Sequence, residues 1–309
     1  MNIYVDGSKR HAVSRMFPVW ESLEHAVVNK PGKADIQLSV VRIGNDTGLP
    51  IVLRVDGVYY DKDIDYKHTN LSICKAHRKA NAVIYQSNMA RQMCERYLGE
   101  RQGPYSIIHN GIDPSGWNNP VAHTGINIFC CGKWRRPKRL EETIKVFNLF
   151  RERFPFANLW VIGGFKKGGK PIPGENITYC GQIDHEKMQG LYRIGDMFLH
   201  LCKKDSCPSS VVEAIAAGMP VITTNACGGA TEMCRLTPGC VVVPGEAEGT
   251  DPDYIYRDAY NKMPKDVMIN MVKEMIEITE NNLITSLPYE LTIEHAAKKY
   301  LDVFEGIIH

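Results

Sequence analysis

The chain has 309 residues, a length that suits two domains of ordinary size better than one. Apolar residues make up 44% and charged residues 23%, which is enough to bury a core and excludes general disorder. A net charge of +2 gives no push toward nucleic acid, no stretch reads as a signal peptide or membrane span, and ten cysteines without a Cys-x-x-Cys pair read as reduced thiols.

In chain order, apolar runs at 2–5, 35–41, 50–55, 82–86 and 105–109 read as strands. A second series follows at 127–132, 158–163, 197–202, 220–224 and 240–243. Between them lie helical patterns. Met16, Trp20, Leu23 and Val27 fall on one face, as do Leu140, Ile144, Phe147 and Phe150. Strict alternation of strands and helices argues for parallel sheets covered on both faces. The stretch "HNGIDPSGWNNPVAHTG" (109–125) interrupts the alternation with Gly, Pro and Asn and marks the domain boundary.

The segment "KKDSCPSSVVEAIAAGMPVITTN" (203–225) sits between two strands of the second series. Ser209 or Ser210 offers a helix N-cap and Gly218 a stop, so "SSVVEAIA" reads as a short helix. Asp205 then lies in the loop after a strand's carboxyl end, the edge where open parallel sheets bind ligands. Glu213 falls opposite the apolar face made by Val211, Val212, Ile215 and Ala216. That position suits either a solvated glutamate or one that meets a ligand. The helix start offers amides without intrahelical partners to an anion.

These residues carry a resemblance. "DSCPSSVVEAIAAGMPVI…GGATE" resembles the signature of glycosyltransferase family 4, retaining sugar transferases of the GT-B fold. Asp205, Glu213, Ala214, Gly218, Pro220, Val221, Gly228, Gly229 and Glu232 occupy the motif positions, with Asp205 where Glu is usual. "CCGKWRRPKRLEETIKVF" resembles the family's basic strand–loop–helix, with Gly132, Lys133 and Lys138 in place and Arg135 an added candidate. "YCGQID" resembles the segment whose backbone, here Gly181 to Ile183, meets the base. "LRVDGVYYD", "ANAVIYQS" and "IIHNGID" resemble the family's first half, and "LTIEHAAKKYLDVFEGII" its closing helix.

The resemblance implies an α/β protein of GT-B architecture, two Rossmann-like domains facing each other across a cleft. It implies a trimmed acceptor domain over 1–118, joined by helix 289–309, and a donor domain over 119–288. Glu213 would take the ribose hydroxyls and Asp205 the sugar hydroxyls. Gly132, Lys133, Arg135, Lys138 and the amides of Ser209, Ser210 and Val211 would surround the diphosphate, where fixed positive charge stabilises a leaving group. Gly7, His11 and Asp56 would lie on the acceptor side. The partners implied are a UDP-, GDP- or similar sugar and a glycan, glycoprotein or lipid-linked acceptor, with no metal or other cofactor. The expected location is cytoplasmic, peripheral to a membrane at most. The same fold also serves nucleotide-sugar epimerases and hydrolases, and a trimmed member could bind nucleotide sugars without turnover.

Three further motifs point elsewhere. "GFKKGGKP" nearly spells a P-loop, but Pro171 stands where Ser or Thr should hold magnesium and open a helix. His200, Cys202, Cys207, Cys227 and Cys234 lack zinc spacing. Asp61, Asp63 and Asp65 give the Asp-x-Asp pattern with which a different sugar-transferase fold holds a metal–diphosphate, although a polar turn has the same composition.

Overall fold

The computed structural model describes all residues except 7–10, 60–64, 119, 204 and 247–261. Its chain divides into two compact units. Unit 1 holds the described residues of Met1–Asp113 together with Tyr289–His309, and unit 2 holds those between Pro114 and Pro288. Each unit is built on one six-stranded parallel sheet, and most but not all of its strand connections carry an α-helix.

In unit 1 the sheet order is β2-β1-β3-β4-β5-β6. The strands are β1 (Asn2–Asp6), β2 (Ala26–Val28), β3 (Ile36–Val40), β4 (Ile51–Val55), β5 (Ala82–Tyr85) and β6 (Tyr105–Ile107). β3, β4 and β5 are buried along their whole length, which explains their mostly apolar runs, with Gln37, Ser39 and Arg54 as buried polar exceptions. The helices are α1 (His11–Ser14), α2 (Phe17–Ser22), α3 (Tyr66–Lys79) and α4 (Asn88–Leu98).

The helix expected through Val27 is shorter than its spacing suggests. Met16 and Trp20 are buried, but Glu24 takes a left-handed φ of 63° and closes α2. Leu23 is left exposed, and Val27 pairs with β1 as part of the edge strand β2. Three residues of β2 are too few to show an alternating pattern.

The last helix of the chain, α10 (Ile293–Ile308), belongs to unit 1. The Trp20 indole donates to Ala297 O at 3.0 Å across 277 residues of sequence, and its ring meets Phe304 edge-on. Gly111 passes so close to this segment that a Cβ there would lie 2.2 Å from Thr292 O.

In unit 2 the order is β12-β11-β10-β7-β8-β9. Its strands are β7 (Ile126–Cys131), β8 (Ala157–Ile162), β9 (Ile177–Gly181), β10 (Met197–His200), β11 (Val221–Thr224) and β12 (Val241–Val243). β9 was not expected as a strand. It is a half-exposed edge and carries no continuous apolar run.

The helices are α5 (Leu140–Arg151), α6 (His185–Tyr192), α7 (Ser209–Ala216), α8 (Gly229–Leu236) and α9 (Lys265–Glu280). Leu140, Ile144, Phe147 and Phe150 of α5 are buried as their spacing predicts, in one core with Leu159, Met271 and Met275. The near-P-loop at 164–170 opens no helix, in keeping with its prolines. No helix among the described residues is long and apolar enough to cross a membrane.

Candidate active site

In unit 2 the chain runs from β7 outward through β8 and β9, then returns to place β10 on the other side of β7. This reversal makes the carboxyl ends of β7 and β10 the switch point, where ligands enter open parallel sheets. The loops that leave those two ends carry Gly132–Lys138 and Leu201–Asp205.

Lys138 and Asp205 meet there. The Lys138 ammonium donates to Asp205 Oδ2 at 2.5 Å, with both side chains largely buried. Burial opposes the lysine's charge, but Cys202 and Asp205 more than offset it and raise its pKa. Burial likewise pushes the Asp205 carboxyl up, and Lys138 followed by His200 brings it below its ordinary value. Both groups are therefore charged at neutral pH. A carboxylate assigned to sugar and a lysine assigned to phosphate thus form one pair in the free protein.

Glycines shape this crevice. A Cβ on Gly132 would press on the Lys138 side chain at 3.3 Å, and one on Gly163 would lie 2.0 Å from Gly132 O. Gly229 packs onto the Asp205 loop, its amide donating to Asp205 O at 2.9 Å. A Cβ on Gly229 would lie 1.9 Å from Ser206 O, so the second glycine of "GGATE" is sterically fixed. Gly228 before it takes a φ of 62°.

Glu213 is 5% exposed on α7. The solvated reading of that residue does not hold: the helix is buried on both sides, and His185 Nε2 lies 4.0 Å from its carboxylate. His185 is itself set edge-on to the buried Trp117 at 5.0 Å between ring centres. The expected Ser N-cap is also corrected. Pro208 occupies that position and no side chain caps the helix. The Val211 amide donates to Pro208 O at 3.1 Å, which leaves those of Ser209 and Ser210 at the open first turn.

Lys133 and Arg135 are exposed at the same edge, and Arg135 is close enough to help hold the Asp205 carboxyl down. Gly181 closes β9 with a φ of 65°, and Ile183 is half-buried just before α6. Asp184 between them and the helix caps α6 by accepting from Lys187 N at 2.8 Å.

Three ligating atoms whose sequence spacing gave no metal signal converge here. His200, Cys202 and Asp205 offer atoms within 4.8 Å of one another. The Lys138 ammonium already sits on the Asp205 oxygen that a cation would need. Burial lifts the Cys202 thiol to about 12, so it is a protonated neighbour rather than a thiolate ligand.

On the expected acceptor side, Gly7 lies outside the described residues, as do Asp61 and Asp63, and His11 is described only as the start of α1. Asp56 follows β4 and sits in a closed ring of side chains. Arg54 Nη2 reaches Asp56 at 3.2 Å and donates to Asn110 Oδ1 at 3.0 Å. Asn110 donates to Gln86 at 3.0 Å, and Gln86 donates to Asp56. Asp6, at the end of β1, is buried and accepts from Gln37, Ser39 and the amides of Gly44 and Asn45. Sequence reasoning missed Arg54, Gln86, Asn110 and Asp6, although Asp6 at the end of β1 and Gln86 just after β5 stood as polar residues closing apolar strands.

Residues 117–250 match the family model described as glycosyl transferases group 1. Over that stretch the chain is similar to group 1 glycosyl transferases. That stretch contains the Lys138–Asp205 pair and Glu213. A comparison with curated proteins finds no match.

Among solved structures, the chain is similar to sucrose-phosphate synthase from Thermosynechococcus elongatus, with a TM-score of 0.66 at 14% identity, covering 99% of this chain and 98% of that one. It is similar to Anabaena HepE in complex with UDP and glucose, with a TM-score of 0.61 at 11% identity and 99% of each chain covered. It is also similar to WaaG, a glycosyltransferase involved in lipopolysaccharide biosynthesis, with a TM-score of 0.62 at 12% identity, covering 99% of this chain and 100% of that one. The two six-stranded parallel units thus share the GT-B architecture of these structures.

Proposed function

We propose that the protein moves a hexosyl group from a nucleotide diphosphate sugar to a hydroxyl of a glycan, glycoprotein or lipid-linked acceptor, with retention of configuration and without a metal. The observation that carries this reading is the Lys138–Asp205 pair at the switch point of unit 2, within the group 1 stretch and in the same unit as the buried Glu213. In the reaction the bond from the anomeric carbon to the phosphate oxygen breaks and one to the acceptor oxygen forms. The acceptor proton passes to the departing phosphate.

Such a step needs negative charge stabilised on the leaving group and hydroxyls held in place. Lys138, Lys133, Arg135 and the first amides of α7 supply positive charge. Glu213 takes the ribose hydroxyls, and Asp205 takes those of the sugar. The resemblance to family 4 supports retention, with the leaving phosphate itself serving as base. Unit 1 holds the acceptor, with Asp56 kept in orientation by its ring.

The test is a thermal-shift screen over UDP-, GDP- and ADP-sugars, since a ligand that binds the folded state raises its stability. Product analysis follows, with and without glycan acceptors. A transferred sugar of retained anomeric configuration supports the reading. Release of free sugar or an epimer with no need of acceptor, or binding without any turnover, overturns it.

A further inference from the structure

His200 ends β10, with its carbonyl fixed by Thr223 Oγ1 at 2.7 Å. Its ring is 3% exposed, and Nε2 has no hydrogen-bond partner. Burial, then the Lys138 charge, lowers its pKa to about 4, so the ring is neutral at physiological pH. A buried polar nitrogen without a partner is costly, and such groups call for an explanation. Nε2 lies 4.0 Å from Asp205 Oδ2, just beyond hydrogen-bond reach, and this is the same oxygen that Lys138 holds at 2.5 Å. With its single proton on Nε2, the neutral imidazole brings a second donor to the carboxylate oxygen that Lys138 already engages.

We propose that His200 is a positioning residue. When a diphosphate draws the Lys138 ammonium toward itself, the His200 Nε2–H closes on Asp205 Oδ2 and keeps the carboxylate aimed at the sugar. The ammonium need not serve phosphate and carboxylate equally. A neutral imidazole supplies a hydrogen bond without adding a second positive charge beside Lys138. This inference rests on the donor-site reading above, but it makes one claim that needs no nucleotide. If the ammonium is removed, His200 should engage Asp205 in the free protein.

The experiment is proton–nitrogen NMR of the full chain labelled with nitrogen-15 at histidine, with the His200 signal assigned by its loss in His200→Gln. In Lys138→Ala without ligand, the Nε2–H resonance should move downfield, and the double variant Lys138→Ala, Asp205→Asn should abolish the move. In the wild-type chain, saturation with whichever of UDP, GDP or ADP binds should produce the same move.

Turnover, read as nucleoside diphosphate release, gives a second readout. His200→Leu should lower kcat roughly 10- to 100-fold with little change in KM, and His200→Gln, which restores an amide donor at the Nε2 position, should recover most of it. An unmoved resonance in Lys138→Ala, or equal loss in Leu and Gln variants of equal stability, overturns the proposal. A move in Lys138→Ala combined with no binding of any of the three diphosphates keeps the His200 contact and overturns the donor-site reading instead.

Discussion

Arg139 and Glu246, 107 residues apart in sequence, form a buried two-point ion pair in unit 2. The guanidinium donates to the two carboxylate oxygens at 2.8 and 2.6 Å, and both side chains are at most 4% exposed. Thr224 donates to the same carboxylate at 2.7 Å, and Lys203 stands 3.7 Å away. Burial would raise the Glu246 pKa, but Arg139 lowers it.

A pair of this kind is damaged most by removing one half. Glu246→Ala should therefore destabilise unit 2 by about 3–5 kcal/mol, because the guanidinium is left buried and uncompensated. Arg139→Met with Glu246→Leu should cost much less than either single change. Denaturant unfolding of the three variants checks this. Equal losses for singles and double would show that the pair holds the loop by shape alone.

Glu213→Ala should weaken nucleoside diphosphate binding roughly 10- to 100-fold, the scale of losing a charged acceptor that bonds two hydroxyls. Isothermal calorimetry with UDP, GDP and ADP measures it. A folded Glu213→Ala chain with unchanged affinity removes the ribose assignment.

Lys138→Ala should lower turnover about 10²–10³-fold, as for the loss of one fixed electrostatic stabiliser. The comparison residue is the exposed Arg136. Arg139, although adjacent, is unsuitable because its loss breaks the buried pair. Near-equal effects of Lys138→Ala and Arg136→Ala on kcat would mean that the loop acts as a diffuse positive surface.

Turnover should persist in excess EDTA. Three cations and a helix amino terminus offset a diphosphate without an ion. If Asp61 and Asp63 held the donor instead, a magnesium or manganese ion would have to bridge carboxylates to phosphates. Activity abolished by the chelator, restored by manganese and absent in Asp63→Asn would transfer the donor site to that loop.

Stability should fall on acidification below about pH 6.5. His77 in unit 1 and His200 in unit 2 are both lowered to about 4, chiefly by burial. The unfolded chain binds these protons near 6.5 and the folded chain does not, so stability is complete above 6.5 and is lost progressively toward pH 4. Melting temperatures across that window should decline, and His200→Gln should flatten part of the slope. A wild-type melting temperature constant from pH 6.5 to 4.5 would show that neither ring is held neutral.

Most of the architecture was legible because buried parallel strands write themselves as apolar runs. Leu140, Ile144, Phe147 and Phe150 needed nothing beyond helical spacing. The weak points were at sheet edges. β2 and β9 are short or half-exposed, and neither core burial nor clean alternation marks them. In the site, Asp205 and Glu213 could be placed on the right edge of the right sheet from local pattern alone. Their partners could not. The contacts of Asp205 with Lys138 and His200, and of Arg139 with Glu246, are made by the fold between loops distant in sequence. The glycines were legible as a motif, but the reason for Gly229, a backbone crossing against Ser206, is visible only in three dimensions.

The buried hydrogen bond from Trp20 to Ala297 also sets an order of events during synthesis. The ribosome delivers Trp20 some 277 residues before its partner, a wait on the order of 15–60 s at typical translation rates. Every residue of unit 2 emerges in that interval, and all its core elements are available before α10 exists. Unit 1, although first in sequence, is therefore last to close. Until it does, the apolar faces of Ile3, Leu38 and Trp20 are short of their cover. A nascent chain stalled before residue 293 would hold a finished unit 2 tethered to an open unit 1, and chaperone capture should map to that open half.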